Sequence, residues 1–342
     1  MNILADASLP HLDTLFQAPC HLVTYTNHAE LLSALLHDNN YDVLLCRSTL
    51  HVTAELLSNS RLRYVATASS GVDHIDLDYL KTQNIKLFDA KGCNAEAVSD
   101  YVLSTLAYLD THQKLPGKRV GIMGVGEVGS RVNARLHALG FEVFLYDPLK
   151  ASINPDFISC SLEDFSSCDA LCIHANLHNT QPYSTQNFLD TEFLQSLKPN
   201  TVMINAARGG MLDEQALLHI KHPITYCTDV YQSEPKINPE IISYATLCTP
   251  HIAGHSIEAK SDAVVHISQA LHRAFKLRPP AALAYPKLTL DCSDDSWQAR
   301  ALAQYNPIHE TLKLKQAYDK NAEFLNLRRA HRHRHNFSQY QI

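Results

Sequence analysis

Glycine is scarce in this chain. Only 11 of its 342 residues are Gly, and all lie between Gly71 and Gly254. A chain that uses so little glycine keeps it where the backbone needs a positive φ or a ligand must approach closely. Long apolar runs are missing as well. Nothing approaches the roughly 18 consecutive apolar residues of a membrane-spanning helix, and the opening MNILADASLP lacks the basic flank and apolar stretch of a secretory leader. No excess of positive charge exists, because 29 Lys and Arg stand against 35 Asp and Glu for a formal net charge of -6. Binding nucleic acid through bulk charge is therefore excluded.

Cysteine is present without a pattern. The nine Cys are odd in number and scattered from Cys20 to Cys292, and the one close pair, Cys168 and Cys172, has no second pair nearby. Neither a disulfide framework nor a zinc site is expected, and the thiols read as small hydrophobes in a reducing, cytoplasmic setting. With 45% hydrophobic and 19% charged residues the chain is globular, and 342 residues are enough for two domains and a smaller third piece.

Four of the glycines cluster in Gly121-Ile122-Met123-Gly124-Val125-Gly126-Glu127-Val128-Gly129. The short apolar run Lys118–Met123 reads as a buried parallel strand, Ser130–Leu139 has helical spacing and stops at Gly140, and a second strand, Glu142–Tyr146, ends at Asp147. Strand, glycine turn, helix and strand-end acid together form a dinucleotide-binding unit. Gly124 permits the tight turn, Gly126 lets a pyrophosphate approach, Gly129 lets helix and strand pack, and the helix N-terminus offers free N–H groups. Asp147 would accept hydrogen bonds from the adenosine ribose and repel a 2′-phosphate, which favours NAD over NADP. Lys150 nearby tempers that preference.

Strand and helix patterns alternate on both sides of this unit. Met1–Ala5, Asp42–Cys46, Tyr64–Ala68 and Ile85–Phe88 read as strands before it, with helices near 29–37, 53–58 and 78–83. Ala170–His174, Val202–Asn205, Thr225–Asp229 and Ala245–Cys248 follow it, then a long helix over 258–276 that stops before Arg278-Pro279-Pro280. From about Ala284 the character changes to one short strand, Leu288–Leu290, and helices. About 60 residues bury little core alone, so this tail is expected to dock on the main body or on a second chain.

Ligands of open α/β sheets sit at the carboxyl ends of strands. Arg208 follows Val202–Asn205, Glu234 follows Thr225–Asp229, and His251 follows Ala245–Cys248. An Arg, a Glu and a His on three successive strand ends suit dehydrogenation of a 2-hydroxy acid. Arg208 can hold the carboxylate as a bidentate pair, His251 can take the hydroxyl proton, and Glu234 can orient the imidazole.

These residues resemble the D-2-hydroxyacid dehydrogenase family. The matching stretches are GVGEVG with Asp147, NAARGGMLDEQAL at 205–217, DVYQSEP at 229–235 and TPHIAGHS at 249–256. Cys46-Arg47-Ser48-Thr49, ATASSGVDHID at 66–76 and GCNAEAV at 92–98 are similar to the members that oxidise 4-phospho-D-erythronate to its 2-oxo acid on the way to pyridoxal phosphate. The resemblance implies an α/β fold of two doubly wound parallel-sheet domains. These would be a flavodoxin-like substrate domain of residues 1–95 with 257–283 and a Rossmann NAD domain of 96–256, followed by a small α+β dimerisation domain of 284–342. It implies NAD contacts from Gly124, Gly126, Glu127, Val128, Gly129, Asp147, Ala175, Ala206, Asp229 and Gly254, and substrate contacts from Ser48, Ser69 and His255. It further implies a homodimer, with no nucleic-acid or membrane partner.

His255 departs from the Tyr usual in those members, and Ala175 replaces a hydroxyl residue. For the phosphate, the residues themselves point to Arg47 with Ser48 and the Ser69–Gly71 loop, joined by Arg328 of a second copy of the chain. The run His331-Arg332-His333-Arg334-His335 has no Cys or acid beside it and is expected to be a solvated basic edge or a dimer contact rather than a metal site. Two alternatives stay open: a dehydrogenase for glycerate or 3-phosphoglycerate, and an NAD(H)-sensing protein without turnover.

Overall fold

The computed structural model describes residues 1–37, 40–58, 60–292, 294–331 and 334–341. The chain divides into two compact units, Met1–Asn94 with Ser256–Pro286 and Ala95–His255 with Lys287–Ile342.

The first unit is built on five parallel strands, β1 (Asn2–Asp6), β2 (His21–Tyr25), β3 (Val43–Cys46), β4 (Tyr64–Thr67) and β5 (Lys86–Asp89), in the order β2-β1-β3-β4-β5. Its inner strands read as unbroken apolar runs because both faces are covered. Ile3, Val43 and Leu45 enter one core cluster, while Leu4, Leu44 and Val65 enter the other. The helix Ile257–Ala274 returns to this unit and packs Ala263, Val264 and Ile267 into the first of those clusters. Strand β2 lacks the apolar run that marks its neighbours. It is an edge strand whose Leu22 and Val23 are only partly covered.

The second unit carries six parallel strands: β6 (Arg119–Met123), β7 (Glu142–Tyr146), β8 (Ala170–Ile173), β9 (Val202–Asn205), β10 (Thr225–Thr228) and β11 (Leu247–Cys248). Their order is β11-β10-β9-β8-β6-β7. Strand periodicity again sorts side chains to two faces, with Leu171, Ile173 and Met203 on one and Ala170, Cys172, Val202 and Ile204 on the other. In both units the strand order reverses beside the first strand, at β1/β3 and at β6/β8, where a doubly wound sheet opens a crevice at its carboxyl edge.

The C-terminal residues pack on the second unit. Helix Trp297–Gln304 lies against helix Ala95–Thr111, and helix Ile308–Gln316 covers the edge of β11. There Thr311 Oγ1 accepts from Cys248 N and donates to Cys248 O, both at 3.0 Å, so the open edge of the sheet is paired. A parallel pair, Leu288–Thr289 with Tyr340–Gln341, closes the segment. Of the two readings of the His-rich run, a solvated edge or a dimer contact, the solvated edge does not hold for His331 and Arg334. His331 and Arg334 are each only 7% exposed, because both lie against the Tyr305 ring. Arg332 and His333 lie outside the described residues. Among the described residues no helix is long and apolar enough to cross a membrane.

Candidate active site

The glycine loop runs from β6 into helix Glu127–Ala138. Gly124 has φ +85°, and a Cβ there would lie 2.4 Å from the backbone N and Cα of Ala175. Gly129 is equally constrained, since a Cβ would stand 2.1 Å from the Gly124 carbonyl oxygen. Gly126 is different. Nothing lies within 4 Å of its Cβ position, and as N-cap it leaves the first turn without a side-chain cap. The N–H groups of Glu127, Val128 and Gly129 therefore head a 12-residue helix across open space, which fits a pyrophosphate.

Asp147 stands at the end of β7 and is bound to this loop. Its Oδ2 accepts from Val125 N at 2.8 Å and its Oδ1 from Lys150 N at 2.9 Å, capping helix Pro148–Ile153. The Lys150 ammonium donates to the Val125 carbonyl at 2.7 Å and lies 4.7 Å over the Phe157 ring. The acid and the glycine turn thus form one rigid feature. Gly129→Ala should lower NAD affinity about fivefold to 150-fold, the equivalent of the about 1–3 kcal/mol that overpacking typically costs. Titration calorimetry with NAD reads this directly, and unchanged affinity would separate the loop from cofactor binding.

Strands β9, β10 and β11 lie side by side, so the loops that follow them share one edge. Asn205, at the end of β9, donates from Nδ2 to the Arg208 carbonyl at 3.1 Å and accepts from Ala207 N at 3.1 Å, which fixes the turn bearing Arg208 and places Ala206 within it. Arg208 Nη1 donates to the Ala207 carbonyl at 2.8 Å. The next residue, Gly209, touches the loop after β10 so closely that a Cβ would sit 1.9 Å from the Tyr231 carbonyl carbon. That loop brings in Glu234, whose Oε1 accepts from Tyr231 N at 2.9 Å.

His251 Nδ1 lies 2.7 Å from Glu234 Oε2. A carboxylate only accepts, so Nδ1 carries the hydrogen and the neutral ring presents Nε2 as a base. Burial works to raise the Glu234 pKa, but the adjoining His251, the Tyr231 N–H and Arg328 outweigh it and hold the carboxyl below its ordinary range. Arg328 Nη1, from helix Lys320–Ala330, stands 3.9 Å from Glu234 Oε2.

Asp229 braces the loop that carries His251. Its Oδ1 accepts from Thr249 Oγ1 at 2.7 Å and Ile252 N at 2.8 Å, and its Oδ2 accepts from Ala253 N at 2.8 Å. Both oxygens thus face the loop that carries His251 and Gly254. Tyr231 Oη adds a bond to the Thr249 carbonyl at 2.9 Å, and the buried Tyr101 Oη bonds Thr249 Oγ1 at 2.8 Å. His255 follows the loop, its ring 6.0 Å from that of His331.

The remaining candidates belong to the first unit. Arg47, just past β3, pairs through Nε with Asp6 Oδ2 at 2.8 Å across the β1/β3 reversal, and Ser48 follows it. Ser69 lies just past β4, where its carbonyl accepts from Ala90 N at 3.0 Å. Lys260, on helix Ile257–Ala274, adds a cation near Arg47. Burial, with a smaller push from the Arg47 charge, holds its ammonium below its ordinary pKa.

Residues 104–253 match the D-isomer specific 2-hydroxyacid dehydrogenase NAD-binding domain. The whole chain is similar to proteins named erythronate-4-phosphate dehydrogenase. It is 52% identical to the one from Legionella pneumophila (strain Lens) over 341 residues, 99% of this chain and 96% of that protein. The one from Coxiella burnetii (strain RSA 493 / Nine Mile phase I) is 35% identical over 355 residues, 100% of this chain and 95% of that protein. The chain belongs to the D-isomer specific 2-hydroxyacid dehydrogenases. Among solved structures, the NAD+-bound 3-phosphoglycerate dehydrogenase of Entamoeba histolytica shares the fold at a TM-score of 0.66 and 19% identity, covering 83% of this chain and 99% of that one.

In this dehydrogenase, β6 to β11 form the NAD-binding sheet. The sequence reading did not include Lys260, the Tyr101–Thr249–Asp229 chain, or the approach of Arg328 to Glu234 in its own chain. A lysine on a helix looks like any solvated lysine, and the other contacts join residues far apart along the chain with no motif between them.

Proposed function

We propose that this dehydrogenase oxidises 4-phospho-D-erythronate to 2-oxo-3-hydroxy-4-phosphobutanoate, with NAD as acceptor, in the route to pyridoxal phosphate. The observation that carries the chemistry is the 2.7 Å bond between His251 Nδ1 and Glu234, on the carboxyl edge that also presents Arg208. Full-length similarity at 52% identity to a protein named erythronate-4-phosphate dehydrogenase supports the choice of substrate.

NAD, when bound, supplies the acceptor for the hydride that leaves C2 of the substrate. Gly124, Gly126 and the Glu127, Val128 and Gly129 N–H groups would hold its pyrophosphate, with Ala175, Ala206 and Gly254 flanking, and Asp147 would hold the ribose in preference to a 2′-phosphate. Asp229 serves the site through the loop whose N–H groups it binds. Arg208 grips the substrate carboxylate with two parallel N–H donors. His251 Nε2 takes the proton from the C2 hydroxyl, so substrate and NAD+ become 2-oxo acid, NADH and one proton held on the imidazole. Glu234 keeps Nδ1 protonated and balances the imidazolium. The enzyme works as a cytoplasmic homodimer, with residues 284–342 contributing to the dimer.

Arg47, Ser48, the Ser69–Gly71 loop and Lys260 receive the phosphate, and His255 contributes a ring N–H donor to the substrate. Arg47→Ala should raise KM for 4-phospho-D-erythronate by about tenfold to a hundredfold, from the about 1.5–3 kcal/mol of a hydrogen bond to a charged group. Neither kcat nor NAD affinity should move. An unchanged KM for the phosphorylated acid would remove Arg47 from the phosphate site.

A further inference from the structure

The loop Thr249–Gly254 lacks regular structure yet must aim one imidazole. His251 sits at φ 56°, a left-handed conformation that a non-glycine residue keeps only where its surroundings over-determine it. Asp229 restrains the N–H side of Ile252 and Ala253. The carbonyl side of the same two residues is held from the C-terminal segment. Arg334 Nη2 donates to Ala253 O at 2.6 Å and to Ala97 O at 3.0 Å, and Nη1 donates to Ile252 O at 3.4 Å. One guanidinium thus ties the His251 loop to helix Ala95–Thr111.

We propose that Arg334 is a positioning residue for the acid/base pair, holding the carbonyl side of the loop so that His251 meets both Glu234 and the substrate hydroxyl. The proposal rests on the reading of His251 as the proton acceptor.

Three features support more than a generic packing role. The guanidinium is 7% exposed and lies 4.3 Å over the Tyr305 ring, so it is fixed in direction as well as place. Burying a cation is costly unless its donors are used, and here Nη1 and Nη2 both reach the catalytic loop, while the buried Nε has no partner among the described residues. The chain just beyond is anchored independently, since Phe337 N donates to the buried Asp100 at 3.0 Å, and Asp100 also pairs with Arg135. The C-terminal segment therefore completes the catalytic loop within its own chain, whatever its part in assembly.

The test compares full-length Arg334→Lys and Arg334→Ala with wild type and with His251→Ala. Each is measured for NAD affinity, substrate KM, kcat and the pH dependence of kcat. Lysine keeps the charge but cannot span two carbonyls with a planar fork. The expected result is a kcat about tenfold lower for Lys and about a hundredfold lower for Ala, with KM and NAD affinity within about threefold of wild type. Methylguanidinium should restore part of the turnover of Arg334→Ala, and tetramethylammonium should not. Wild-type kcat and pH profile in Arg334→Lys, with His251→Ala inactive, would overturn the proposal while sparing the acid/base reading. So would a loss in Arg334→Ala that merely tracks the folded fraction and is not rescued. Normal turnover by His251→Ala would instead remove the acid/base reading, and this proposal with it.

Discussion

His251→Ala should lower kcat for oxidation by about 10²–10⁴-fold, the usual contribution of a positioned general base. NAD affinity should hold, because the glycine loop and Asp147 form their own bonded unit. The size follows from the chemistry: hydride cannot leave C2 while the hydroxyl keeps its proton, and without His251 only water can take it. Glu234→Gln should fall between wild type and His251→Ala. Its amide could turn a donor toward Nδ1, favour the opposite tautomer and leave Nε2 unable to accept a proton.

The pH dependence has a definite sign. Oxidation releases one proton and reduction takes one up, so oxidation should gain and reduction should lose as the pH rises. The Glu234 carboxyl is held below its ordinary range by His251, the Tyr231 N–H and Arg328, so it is not the group that sets this sign. Steady-state kinetics in both directions measure this. Turnover by His251→Ala within about threefold of wild type would be irreconcilable with the expected scale.

Arg208→Ala should reduce kcat/KM by about 10²–10⁴-fold, from two charge-assisted hydrogen bonds of about 1.5–3 kcal/mol each. The turn that carries Arg208 is pinned by Asn205 and by the Gly209 contact with Tyr231, so the guanidinium is presented by a rigid support. Arg208→Lys should recover little, because a single ammonium cannot reproduce the fork that orients the carboxylate. NAD affinity serves as the control for folding. If Arg208→Ala kept kcat/KM while His251→Ala did not, carboxylate binding would have to be reassigned to another cation.

The parts of this dehydrogenase visible in its sequence are those governed by local rules. Val43–Cys46, Ala170–Ile173 and Val202–Asn205 read as buried parallel strands because both their faces are covered, leaving short unbroken apolar runs. Arg208, Glu234 and His251 could be found because each follows such a run. His21–Tyr25 escaped because an edge strand need not be apolar throughout. Arg334 escaped for a different reason. It bonds Ala253 across 81 residues of chain, and its run of alternating His and Arg looks like a solvated edge until Tyr305 is brought against it. The charge of a side chain is legible in sequence, whereas the partner that buries it is not.

The most direct test of the account is NADH formation, followed by nicotinamide absorbance, with 4-phospho-D-erythronate, D-glycerate and 3-phosphoglycerate in parallel. Single-turnover conditions with a 2-oxo acid chase keep an unfavourable equilibrium from hiding the reaction. The account predicts turnover confined to the four-carbon phosphate. Equal or greater turnover of glycerate or 3-phosphoglycerate would contradict the substrate, and NAD binding without NADH from any of the three would contradict the catalytic reading itself.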